Sequence, residues 1–144
     1  MKRWILGTPV TSLIPSVGLL LYRLAFGGFM LFGHGWSKLV SFGENADTFP
    51  DPLGIGSTAS LACAIVGEVV CSALVMLGCV TRLAVLPLVF TMLVAAMMVH
   101  GDDPFFMSGG AAKEPALVYL TAFALLFFTG AGRFSIDGFL STKV

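Results

Sequence analysis

Among the ionisable side chains in or at the ends of the long apolar stretches of this 144-residue chain, six could do chemistry together: Arg23, His34, Lys38, Glu68, His100 and Glu114. Arginine and lysine anchor anions or carbonyl oxygens, glutamate accepts hydrogen bonds and protons, and histidine titrates near neutral pH. Three of the six fall in one stretch, Arg23 to Lys38, reading RLAFGGFMLFGHGWSK. On a helix at about 100° per residue, Arg23 and His34 lie about 20° apart, and Arg23 and Lys38 about 60° apart. Gly27 and Met30 fall near the same line, so one stripe of a greasy helix is basic. Such a stripe is costly in lipid unless it faces protein, water or a partner charge.

The composition sets the surroundings of these groups. The chain is 57% hydrophobic and 11% charged, with a mean hydropathy of +0.95. Soluble domains carry about 25% charged residues, so this chain lacks the charge to coat a water-facing globule. It reads as one small integral membrane domain. A formal net charge of zero argues against a nucleic-acid footprint. Cys63, Cys71 and Cys79 sit in apolar stretches without a CxxC pair, which favours buried apolar cysteines over a disulfide framework or a thiolate zinc site. Lys2 and Arg3 precede the first apolar run, but no small-residue cleavage pattern follows that run, so an uncleaved first span is expected.

Four segments approach the length needed to cross about 30 Å of hydrocarbon at 1.5 Å per residue. They cover about 14–39, 58–79, 83–99 and 115–129, with Pro15 and Pro115 in first turns and Pro87 inside the third. No extended alternation suggests a barrel, and unpaired backbone cannot face lipid, so the predicted fold is all-α, an integral membrane four-helix bundle. Gly/Pro/Asp-rich loops join spans one to two and three to four, whereas Val80-Thr81-Arg82 alone separates spans two and three. With four spans, Lys2, Arg3, Arg82, Arg133 and Lys143 share one side, and Lys38 and Lys113 the other. That asymmetry predicts cytoplasmic termini.

This topology gathers His34, Lys38, His100 and Glu114 at the outer ends of spans one, three and four. Glu68 lies ten residues into span two, roughly 15 Å deep, and Arg23 about 22 Å below Lys38. The difference of roughly 7 Å is near an extended arginine's reach, which predicts an Arg23–Glu68 ion pair near the midplane. Each charge alone would cost at least ~2.5 kcal/mol there. A buried pair can also serve packing alone. The four groups above it form a polar funnel that packing does not require, whereas a polar-headed ligand or a proton path does. His34 and His100 also fit ordinary interfacial histidines. Two histidines with Glu68 and Glu114 resemble a metal set, but no His-x-x-His or Glu-x-x-His spacing places two ligands on one helix face, so neither metal nor haem is expected. Trp36, Phe42, Phe105 and Phe106 read as an interfacial aromatic belt, and Gly27, Gly28, Gly33 and Gly35 as sites of close helix contact. Nothing matches a phosphate loop, a catalytic triad or a dinucleotide fingerprint.

Arg23, His34-Gly35 and Lys38-Leu39 resemble the R…HGxxKL signature of DoxX-type membrane proteins. Glu68 is similar to that family's second-helix glutamate, and Gly78 with Thr81-Arg82 to its G-x-x-TR turn. His100 ends the third helix as the family's histidine does, and Glu114 followed by Tyr119 matches its fourth-helix opening. Gly130-Ala131-Gly132-Arg133-Phe134-Ser135-Ile136-Asp137 resembles the GPGRYSLD ending. Two departures stand out: Val69-Val70-Cys71-Ser72 replaces a frequent glycine pair, and Ala131 the usual proline. The resemblance covers nearly the whole chain and implies a four-helix bundle in a prokaryotic inner membrane. It also implies association with thiosulfate:quinone oxidoreductase, oxidative-stress complexes or amine-dehydrogenase maturation.

The expected function is therefore a small subunit of a redox system that binds a quinone or similar lipid-soluble carrier. In that reading His34 and His100 handle the proton or a carbonyl, and Arg23, Lys38, Glu68 and Glu114 bind ligand, with Glu114 orienting His100 or Lys38. The expected partners are the bilayer, an oxidoreductase subunit and further copies of the chain. The rival reading is a non-catalytic scaffold or assembly factor that holds a partner's segment. A transporter is weaker, since no inverted repeat or broken helix is evident.

Overall fold

Backbone in hydrocarbon must satisfy its own hydrogen bonds, and the chain does so by helices. The computed structural model describes residues 12–142, and no strand occurs among them. Among the described residues, three helices are long and apolar enough to cross a membrane: α1 (Leu13–Val40), α3 (Ser57–Leu77) and α4 (Thr81–Val99). A short α2 (Phe42–Asn45) follows α1. The fourth apolar helix, α5 (Glu114–Thr129), has 16 residues, about 24 Å of rise. An amphipathic α6 (Ile136–Ser141) ends the described chain, capped by the Ser135 hydroxyl, which accepts from the Gly138 amide. The expected spans therefore recur as helices within a few residues. Of the basic residues used for orientation, Lys2, Arg3 and Lys143 lie outside the described residues.

The helices line up around an apolar core of Met30, Val75, Val85, Leu88, Phe123 and Leu126, all at most 1% exposed. The faces turned away from it are also apolar: Ile14, Phe32, Met97 and Phe128 are each more than 60% exposed. Large side chains unshielded on that scale need lipid as their solvent. Packing runs in sequence order, α1 on α3, α3 on α4 and α4 most extensively on α5. The seam between α5 and α1 closes only thinly.

Three of the helices widen into π-helical turns, at Leu31–Gly35 in α1, Val66–Cys71 in α3 and Ala95–Val99 in α4. A π turn inserts an extra residue and rotates everything beyond it. In α1 the buried stripe accordingly runs Ser16, Arg23, Gly27 and Met30, and then Leu31 and Gly35 rather than His34. The basic stripe expected from a regular helix is thus broken, and His34 turns out of the α1–α3 contact.

At the end opposite the long loops, hereafter the turn end, Arg23 is fully buried. Its guanidinium donates to the carbonyls of Val75, Met76 and Phe134. Two of those carbonyls belong to the last turn of α3, where helix carbonyls run short of backbone donors, and the Val75 carbonyl also accepts from the Gly78 amide at 3.0 Å. Asp137 completes the arrangement by accepting from the Val80 and Thr81 amides at 2.7 and 2.8 Å, the orphan donors at the start of α4. Between them Gly78 has φ +65° and no room for a side chain, because a Cβ there would sit 1.9 Å from an Arg23 nitrogen.

Candidate functional site at the loop end

The other end holds a cavity of about 450 Å³ bounded by α1, α3, α4 and the mouth of α5. Four of the six predicted residues line it: His34, Lys38, Glu68 and His100. Lys38 Nζ donates to Glu68 Oε2 at 2.6 Å and to the His34 carbonyl at 3.4 Å. Glu68 is only 5% exposed, and its carboxylate therefore depends on this ammonium. Gly35 makes the approach possible: a Cβ there would lie 2.9 Å from the Glu68 carbonyl carbon and oxygen. His34 presents its ring edge-on to Tyr119, with centroids 5.3 Å apart at 84°. His100 ends α4 with Nδ1 2.7 Å from Asp103 Oδ2, which fixes the ring and leaves Nε2 as its second polar atom. The remaining walls are mostly apolar, from Met30, Phe90, Met92 and Val99 among others.

Both long loops roof the cavity, one through Phe49, Leu53 and Ile55 and the other through Met107 and Ala112. The first is tied down by Asp51. Its carboxylate accepts from the Ile55 amide at 3.0 Å, the Gly56 amide at 2.7 Å and the Ser60 hydroxyl at 2.7 Å. The Ser60 hydroxyl and the Gly56 amide hold this carboxyl below the ordinary aspartate value.

Several expectations are corrected by this geometry. No Arg23–Glu68 ion pair forms; Glu68 pairs with Lys38, and Arg23 belongs to the turn end. The depth argument assumed that spans one and two start at one level. In fact Glu68 is level with Gly35, so α3 extends about 9 Å farther toward the loops than α1 does. Arg23 is twelve residues below that level, about 18 Å and beyond its reach. Glu114 orients neither histidine nor lysine; its Oε2 accepts from the Met107 amide at 3.0 Å and braces the second loop. Cys63 is exposed on the cavity wall rather than buried, while Cys71 is buried and Cys79 half-buried.

Other residues at the two ends escaped the candidate set. Tyr119 was visible only as part of a motif, yet it contacts His34, Phe26 and Phe123. Asp103 could be read as a histidine partner from its i+3 spacing to His100. Asp137 gave no sign in sequence of reaching the 78–81 turn.

The chemistry available is that of a largely apolar chamber with a neutralised ion pair and two imidazoles on its rim. It offers hydrogen-bond donors to carbonyl oxygens and acceptors to hydroxyls, while the walls take hydrocarbon. Among the described residues, no three His, Cys, Asp or Glu side chains converge as metal ligands would.

Comparison with known proteins adds a family. The DoxX family profile matches residues 18–101, a range holding Arg23, His34, Lys38, Glu68 and His100. The chain is also 30% identical over 103 residues to an uncharacterized protein of Haemophilus influenzae, covering 71% of this chain and 68% of that one. No solved structure matches.

Proposed function

Since this chain belongs to the DoxX family, we propose that it is a small inner-membrane subunit of a redox system. In this reading it binds a quinone, or a similar lipid-soluble carrier, in the loop-end cavity. The observation that carries the proposal is the Lys38–Glu68 pair. It is an ion pair held at the floor of an apolar chamber, where packing four helices would be served as well by leucine. A quinone takes up electrons together with protons when it is reduced. Lys38, with one donor beyond those given to Glu68 and the His34 carbonyl, hydrogen-bonds one carbonyl oxygen of the head group. His100, held by Asp103, supplies a second polar contact from the rim and exchanges a proton with the outer aqueous side. His34 faces the carrier beside Tyr119. Electrons come from an oxidoreductase partner seated on the loops.

In the same reading α5 also crosses the bilayer, with its ends thinning the membrane locally, to complete a four-helix bundle with both termini in the cytoplasm. The test is mass spectrometry of small molecules that co-purify with the detergent-extracted protein, with Glu68→Gln as control. A stoichiometric quinone on the wild type, depleted in the variant, supports the reading. Bulk lipid alone in both, with a protein partner retained, would replace it by the scaffold.

A further inference from the structure

A second hollow, a groove of about 470 Å³, runs along the outward face of α1. Its floor is small, made by Ala25, Gly28 and Gly33, and its sides are Leu24, Phe29 and Phe32. Residues 24 to 34 span about 15 Å, so the groove descends to bilayer depth. Among the described residues, His34 and Tyr119 alone line both the groove and the loop-end cavity. They are the edge-on ring pair, and they stand at the α1–α5 seam, the thinnest contact in the helical ring. Gly28 and Gly33 have no atom within 4 Å of where a Cβ would lie, so neither glycine is required for helix contact. Their smallness instead keeps the groove open.

From this shared wall we infer that the groove holds the hydrocarbon tail of an amphiphile whose head occupies the cavity, with His34 and Tyr119 as the threshold between them. The occupant is a single-tailed, electroneutral amphiphile. The groove carries no charge, and the ion pair beyond the threshold is internally neutralised. A thin seam lets such a molecule enter sideways from the bilayer, so its tail never crosses the aqueous loops. The inference rests on the reading above in taking the cavity as a ligand site, but it concerns the route and the tail.

Gly28→Phe tests it, because a Cβ there meets no atom within 4 Å and the added ring occupies the groove. Gly18→Phe, also on an open part of α1 but outside the groove, is the control. Binding of 2,3-dimethoxy-5-methyl-1,4-benzoquinone and of its decyl-tailed homologue is measured on protein in phosphatidylcholine nanodiscs. Gly28→Phe is expected to weaken the decyl compound about tenfold, the usual scale of an overpacked site, and to spare the tail-less one. Gly18→Phe spares both. An unchanged affinity for the decyl compound, or equal weakening of both, overturns the inference. Should neither quinone bind the wild type, the quinone reading fails and a sixteen-carbon alcohol bearing a nitroxide decides the groove. A motionally restricted spectral component lost in Gly28→Phe and kept in Gly18→Phe upholds it. A component that is absent from the wild type, or equal in both variants, overturns it.

Discussion

The Lys38–Glu68 contact makes an asymmetric prediction about stability. The two groups sit 2.6 Å apart, but the lysine side chain is 26% exposed and the glutamate 6%. Lys38→Met leaves a carboxylate stranded under the cavity floor. Breaking a buried pair costs about 3–5 kcal/mol, and the lower end applies here because the stranded group can take up a proton. Glu68→Leu leaves a lysine near the end of α1 whose long stem can carry the ammonium outward, so its loss is about 1 kcal/mol. The double variant Lys38→Met/Glu68→Leu removes both charges and should return close to wild-type stability. The resulting coupling is about 4 kcal/mol, read from a double-mutant cycle of reversible unfolding in mixed micelles titrated with dodecyl sulfate. Additive single losses, within about 0.5 kcal/mol, would show that the pair is not the unit described here.

At the turn end, Asp137→Ala should cost about 2–4 kcal/mol in the same assay, since it orphans the Val80 and Thr81 amides and removes the charge facing Arg23. Asp137→Asn, which keeps one acceptor, should fall between. Gly35→Ala should destabilise by about 1–3 kcal/mol because its methyl meets Glu68 backbone, whereas Gly33→Ala should be neutral or slightly stabilising; equal effects would undo the assigned contact. The Asp51 loop carries a pH signature. Its carboxyl is held below its ordinary value, so the anchoring is complete above about pH 4 and is lost as pH falls through the lowered folded value. Amide exchange at Ile55 and Gly56 should therefore stay slow from neutral pH to about pH 5, after correction for intrinsic rates, and accelerate in stronger acid. Asp51→Ala should be fast throughout.

The one-dimensional pattern determined a good deal about this protein. Apolar runs of span length, with proline in the first turn and Gly-rich breaks, leave helices as the only solution in lipid. These are local properties of adjacent residues, and α1, α3, α4 and α5 follow them. The short link, which the structure places at 78–80, likewise made α3 and α4 neighbours. The clustering of His34, Lys38 and His100 near one end also follows from counting residues along alternating spans.

What the sequence left undecided depended on register between helices and on regularity within them. A single extra residue in the Leu31–Gly35 π turn moved His34 from the buried stripe to the Tyr119 seam, and periodicity at 100° per residue cannot register such an insertion. An axial offset of about 9 Å between α1 and α3 exchanged Glu68's partner from Arg23 to Lys38. Arg23 and Asp137, 114 residues apart, satisfy the chain ends of α3 and α4 only because tertiary packing folds the C-terminal segment back beneath them. Charge pairing over a few ångströms is decided by which side chains reach the same depth. Depth is a property of how helices slide against one another, which no single helix encodes.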